Sequence, residues 1–170
     1  MPRTLTVCVD TREKYPLLFP EHLKIWPDRR SPKHTLIRLD IQHKALKTGD
    51  YLLAKWPTAC IVERKASSSE LWTNLMTADY SRAESSLTRL SRECRYPVLL
   101  LDMTAAEALR RSQYCEEPAR ALDAFYRLVV HLGLHLLWAG SCRSNAARRA
   151  LGEQVVRLMF AAAWLGEGKR

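Results

Sequence analysis

Residues 96–102 read Tyr-Pro-Val-Leu-Leu-Leu-Asp, an almost unbroken apolar run of strand length. A strand with one wet face alternates apolar and polar side chains, whereas a run without alternation needs apolar cover on both faces. In a chain of 170 residues that cover comes from helices packed on each side of a sheet. His135–Ala139 repeats the buried pattern over a shorter span. Between the two lies Pro118–Leu132, with Leu122, Phe125, Tyr126, Val129 and Leu132 on one helical stripe. Strand, helix and strand in that order point to an α/β class with a central mixed sheet flanked by helices.

The N-terminal half is richer in strands. Leu5, Val7 and Val9 alternate through Leu5–Asp10, and a second strand is expected over Thr35–Ile41. Prolines at 16, 20, 27 and 32 make residues 14–33 mostly loop. Asp50–Ala54 and Cys60–Lys65 flank Lys55-Trp56-Pro57-Thr58-Ala59 and read as a hairpin. Helices are expected over Ser67–Met76, Asp79–Cys94, Thr104–Arg111 and Asn145–Leu165. With no repeat, linker or low-complexity block, residues 1–170 read as one domain closed by a long helix at about 145–165.

Charge narrows the function classes. Lys and Arg number 27 against 18 Asp and Glu, a formal net charge of +9 that favours polyanionic partners, chiefly nucleic acid. No glycine-rich phosphate loop follows a strand, so no small-molecule cofactor is expected. Five cysteines (8, 60, 94, 115 and 142) without a CxxC pair argue against a zinc site or disulfide framework and for a reducing compartment. With no apolar run of membrane-span length and no signal-peptide pattern, a cytoplasmic protein is expected, nucleoid-associated in a bacterium or phage and nuclear in a eukaryote.

The chemistry concentrates in Asp10-Thr11-Arg12-Glu13, Gly49-Asp50 and Glu63-Arg64-Lys65. Side chains along a strand alternate faces, so Glu63 and Lys65 share one face and Arg64 takes the other. With Lys55–Thr58 as the loop, the hairpin register sets Asp50 opposite Glu63, Cβ atoms about 5 Å apart. Two carboxylates and an ammonium then meet at one strand end. Carboxylate oxygens suit a hard cation such as Mg²⁺. A surface cross-strand salt bridge is the alternative, and for an isolated Glu-x-Lys it is the better one. Asp10, Arg12 and Glu13 at another strand end change the balance. Four acids and three bases gathered together are costly without a compensating charge, which a divalent cation supplies.

These three motifs, in this order and strand context, resemble the nuclease domain of the XPF/Hef structure-specific endonucleases, within the restriction-endonuclease-like (PD-(D/E)XK) superfamily. The resemblance spans roughly residues 5–140. It implies a restriction-endonuclease-like fold and hydrolysis of DNA phosphodiester bonds by metal-activated water. Mg²⁺, with Mn²⁺ as a substitute, would be held by Asp50 and Glu63, with Asp10 and Glu13 as further ligands or supports. Lys65 would orient or deprotonate the water, and Arg12 and Arg64 would hold the acids or contact phosphate. Flaps, forks or single-strand/duplex boundaries are the implied substrates. A catalytically silent DNA-binding or partner-binding module that keeps the fold is the alternative, against which the retained Asp50, Glu63 and Lys65 count.

The match has departures. The family places an Asp four residues after the lysine; here that position is Ser69, with Glu70 beside it. The glycine turns of a C-terminal helix-hairpin-helix domain are missing, as in stand-alone bacterial and phage versions. For nucleic-acid contacts, Arg29, Arg30 and Lys33 mark a basic loop over residues 28–34, read as lying near the first strand's end. Arg82, Arg148 and Arg149 are further candidates, each with a solvated helix face as its alternative. Trp26, Trp56 and Trp72 are candidates for stacking on unpaired bases, Trp56 foremost, although tryptophans are more often structural. The apolar face of the last helix either covers the sheet or forms a homodimer, as family members commonly do.

Overall fold

The computed structural model describes residues 3–26 and 29–167. A seven-stranded mixed sheet runs through it in the order β2-β3-β1-β4-β5-β6-β7. Its strands are β1 (Thr4–Asp10), β2 (His22–Ile25), β3 (Thr35–Lys44), β4 (Tyr51–Leu53), β5 (Cys60–Lys65), β6 (Tyr96–Leu101) and β7 (His135–Trp138). The helices are α1 (Ser68–Met76), α2 (Tyr80–Glu93), α3 (Ala105–Ala108), α4 (Pro118–Leu132) and α5 (Asn145–Glu167). Parallel pairs β1–β3, β5–β6 and β6–β7 are joined through antiparallel β4, which lies between β1 and β5. This is the expected α/β restriction-endonuclease-like arrangement.

The apolar run of β6 divides between two cores. Val98 and Leu100 join Val7, Val9, Tyr51 and Val62 under Val155, Val156, Met159 and Phe160 of α5. Leu99 and Leu101 join Cys8, Leu52 and Ile61 under Leu71, Trp72, Leu87, Leu90 and Phe125 of α1, α2 and α4. Each buried aliphatic or aromatic side chain contributes roughly 1.5–3 kcal/mol, so this two-sided burial is what holds the sheet between its helical layers. The apolar face of α5 therefore covers the sheet. No helix among the described residues is long and apolar enough to cross a membrane.

The described part of residues 14–33 is mostly loop, as expected, but β2 forms within it and pairs antiparallel with β3. Its alternation of exposed His22 and Lys24 with buried Leu23 and Ile25 is only four residues long and is hidden among prolines. β3 is also longer than its apolar pattern, because backbone pairing with β1 continues to Asp10↔Lys44 through exposed polar residues.

Candidate active site

The hairpin register agrees with the expected one: Tyr51 pairs with Val62 and Leu52 with Ile61, and continued one residue beyond β4 it sets Asp50 opposite Glu63. Gly49 makes this geometry feasible. Its φ of +69° is left-handed, and a Cβ there would lie 2.3 Å from Ile61 Cγ2. The chain can thus press against β5 just before Asp50. The Asp50 N–H donates to the Val62 carbonyl at 2.8 Å, and the Asp10 N–H donates to the Asp50 carbonyl at 2.9 Å. Three strand ends are tied together at one point.

Alternation through Cys8, Leu52 and Ile61, all in the core beneath α1, α2 and α4, sets Asp10, Asp50, Glu63 and Lys65 on that same face of the sheet. Glu63 accepts a 2.9 Å hydrogen bond from Lys65 Nζ, and Glu70 lies 3.7 Å from the same ammonium. Burial opposes the charge on Lys65, but Glu63, Glu70 and Asp50 outweigh it and raise its pKa. Asp50 moves the other way from an ordinary carboxyl: burial and then the negative charge of Glu63 push it up to about 8. Two carboxylates thus compete for negative charge beside one ammonium.

The outer residues are held by arginines. Asp10 is fully buried, and its carboxylate takes both the guanidinium and the N–H of Arg12. Burial works against its ionisation, yet Arg12 holds its pKa below the usual range. Arg12 also donates to the Leu46 carbonyl at 2.8 Å. Of the two roles expected of Asp10, ligand or support, these contacts display the supporting one. Arg64 emerges on the opposite face, where its buried guanidinium bonds Asp102, Glu13 and, at 2.7 Å, the Tyr15 carbonyl. Of the expected roles for Arg12 and Arg64, holding acids is the one the contacts display. Glu13 is likewise engaged, by Arg64 at 3.4 Å.

No group of three or more His, Cys, Asp or Glu among the described residues is arranged to hold a metal ion alone. The donor chemistry still fits Mg²⁺, which commonly takes one or two carboxylates and keeps water or phosphate as its other ligands. Asp50 and Glu63 are the pair whose mutual repulsion a cation relieves.

Asp102 was not singled out in the sequence. It follows the apolar run of β6, is buried, pairs with Arg64, and accepts a 2.6 Å bond from the Cys142 N–H. A charge closing a doubly buried strand is the signal that marks it, since such a group needs a partner. Glu70 accepts from the Ala66 N–H at 2.8 Å while Ser67 caps α1, so Glu70 stands near the lysine where the family pattern has an acid four residues on.

Compared by structure, the chain matches XPF from Aeropyrum pernix with a TM-score of 0.56 and 19% identity, over 95% of this chain and 61% of that one. XPF from Aeropyrum pernix in complex with DNA matches with a TM-score of 0.55 and 19% identity, over 98% and 66%. The fold is that of XPF. The chain spans about three fifths to two thirds of the length of those XPF structures. Neither family models nor curated proteins give a match to the sequence.

On this XPF fold the expected DNA contacts separate. Because β3 is parallel to β1 and Arg38 pairs with Thr4, the loop before Thr35 lies at the N-terminal end of β1. Arg29, Arg30 and Lys33 are therefore removed from Asp10 by at least the length of β1, roughly 20 Å at about 3.3 Å per residue. They do not adjoin the site; residue 28 of that loop lies outside the described residues. Arg148 is turned inward onto the Pro16 carbonyl. Arg149 is exposed, as is Arg82, whose chain neighbour Ala83 lines a small cleft with Glu63 and Lys65. Trp72 is fully buried, so it is no stacking platform, while Trp56 is half-buried and packs edge-to-face on Phe160. Trp26 remains exposed, beside His34.

Proposed function

We propose that the protein is a metal-dependent DNA endonuclease, hydrolysing phosphodiester bonds at branched, flap or single-strand/duplex structures. The observation that carries this reading is the convergence of Asp50, Glu63 and Lys65 on one face at the joined ends of β1, β4 and β5. The fold shared with XPF, one of whose structures is a complex with DNA, supports it. So does the net charge of +9.

Asp50 and Glu63 would hold Mg²⁺, which when bound lowers the pKa of water and polarises the phosphate. Lys65 stays an ammonium in this setting, which suits it to orient water and stabilise charge developing on phosphate oxygens rather than to take a proton. Asp10, Arg12, Glu13 and Arg64 fix the strand ends that present those three groups.

Labelled single-stranded, duplex, flap and forked DNA incubated with and without Mg²⁺ tests the reading. Wild type should cut only with the metal, and Asp50→Ala should lower the rate by more than about a hundredfold, beyond what outer partners of a metal contribute. Binding without metal-dependent cleavage of any substrate would replace this reading with a silent DNA-binding module.

A further inference from the structure

On the Arg64 side of the sheet end, between the start of α1, the α3 segment and the start of α5, lies a cavity of about 470 Å³. Arg64, Arg110, Arg111, Arg143 and Arg148 line it, against two acids, Asp102 and Glu107. Both acids are already engaged. Asp102 binds Arg64, while Glu107 accepts from Thr104 and Ser141 and lies 3.8 Å from Arg143. Arg148 is spent on the Pro16 carbonyl and Asn145. Arg110 and Arg111 are exposed and have no ion pair among the described residues. The cavity therefore carries a surplus of positive charge with no internal counter-charge.

Tyr15 lines the same cavity with 71% of its surface exposed. The Arg64 guanidinium fixes its backbone through the Tyr15 carbonyl. An exposed aromatic ring on an anchored backbone beside unpaired arginines is the combination that binds an unpaired strand, the ring stacking a base and the cations taking phosphates. A cavity of 470 Å³ is in the range of about 300–1,000 Å³ that encloses a small ligand, a size that suits one strand.

We propose that this cavity seats a single strand of nucleic acid next to the candidate active site, Tyr15 stacking a base and Arg110, Arg111 and Arg143 contacting its phosphates. The assignment rests on the nuclease reading for its place beside the scissile bond, but the binding it describes is separable from cleavage.

Anisotropy of labelled oligothymidylate and of a hairpin duplex, measured in EDTA over a range of salt, tests it. Arg110→Gln/Arg111→Gln should weaken single-strand binding about tenfold and lower the salt slope by about 1.4, at roughly 0.7 per phosphate contact. Tyr15→Ala should weaken single-strand binding at least about fivefold and duplex binding less than twofold. Lys24→Gln/Arg38→Gln removes equal charge from β2 and β3 near the far end of the sheet and should change either by less than twofold. Melting temperatures should match throughout, since all five side chains are exposed. Wild type that ignores oligothymidylate, arginine variants that keep its affinity and slope, or equal loss in the control overturn the cavity's role. Because no metal is present, a strand binder that never cuts would sink the nuclease reading alone.

Discussion

The carboxylate of Asp50 accepts a 2.7 Å hydrogen bond from the backbone N–H of Arg64. One oxygen of the half-buried acid is thereby pinned to β5. The bond favours the ionised form, but burial and Glu63 outweigh it. Asp50 is held in position by the backbone while being electrostatically unsatisfied, as a group that binds a cation should be.

That division separates two substitutions. Asp50→Asn keeps an oxygen for the Arg64 N–H, whereas Asp50→Ala strands that donor at a cost of about 1–3 kcal/mol. Both should abolish Mg²⁺-dependent cleavage, while urea denaturation should find the Ala variant less stable than the Asn variant. Equal stability would mean that the hydrogen bond does not position the acid.

The raised pKa of Asp50 gives a pH signature. In the unfolded chain the carboxyl ionises near its ordinary 3.8; in the fold it holds its proton to about 8. Between those values the folded state binds more protons, so this group's stabilising contribution, full below pH 3.8, is lost as pH rises to about 8. In EDTA, the melting temperature should fall from pH 6 to 8 more for wild type than for Asp50→Asn. Added Mg²⁺, which needs the ionised pair, should raise melting more at pH 8 than at pH 6. Identical pH profiles for the two proteins would show that Asp50 is not the titrating group.

Much of this site was legible because β-structure converts sequence spacing into position. The loop at Lys55–Thr58 sets the Asp50–Glu63 register, and period two sends Arg64 away from Lys65. What escaped depends on strand order. Nothing local to residues 29–33 says that β3 runs parallel to β1, which carries that basic loop to the wrong end of the sheet. Trp56 sits at a hairpin tip in sequence, but α5 arrives from far along the chain to pack Phe160 against it and leave it half-buried. Asp102 was passed over for a similar reason, its partner Arg64 being 38 residues away.

The Arg64–Asp102 pair should be a structural requirement. Both side chains are 4% exposed, so removing one leaves an uncompensated buried charge. Asp102→Ala is expected to cost about 3–5 kcal/mol in urea denaturation. Asp102→Leu/Arg64→Met removes both charges and should recover part of that loss. A double variant no more stable than Asp102→Ala would show that the pair's geometry, rather than the stranded charge, carries the stability.

Gly49 links fold and chemistry most directly. An alanine there meets two obstacles: a φ of +69°, costing about 1–2 kcal/mol for an L-residue, and a Cβ 2.3 Å from Ile61 Cγ2 and 3.1 Å from the Val62 carbonyl oxygen. Ile61 is buried beneath α1 and α2, so its methyl has little room to yield, and overpacking adds about 1–3 kcal/mol. The strain is relieved most readily by drawing residue 49 away from β5, which pulls on the Asp50 N–H bond to Val62. Gly49→Ala should therefore lose about 2–5 kcal/mol of stability by these same terms. Assayed well below its melting temperature, it should also cleave more slowly than an equally destabilised variant elsewhere, such as Val156→Ala in the α5 core. If the two cleave alike at matched folded fractions, Gly49 serves the fold and not the placement of Asp50.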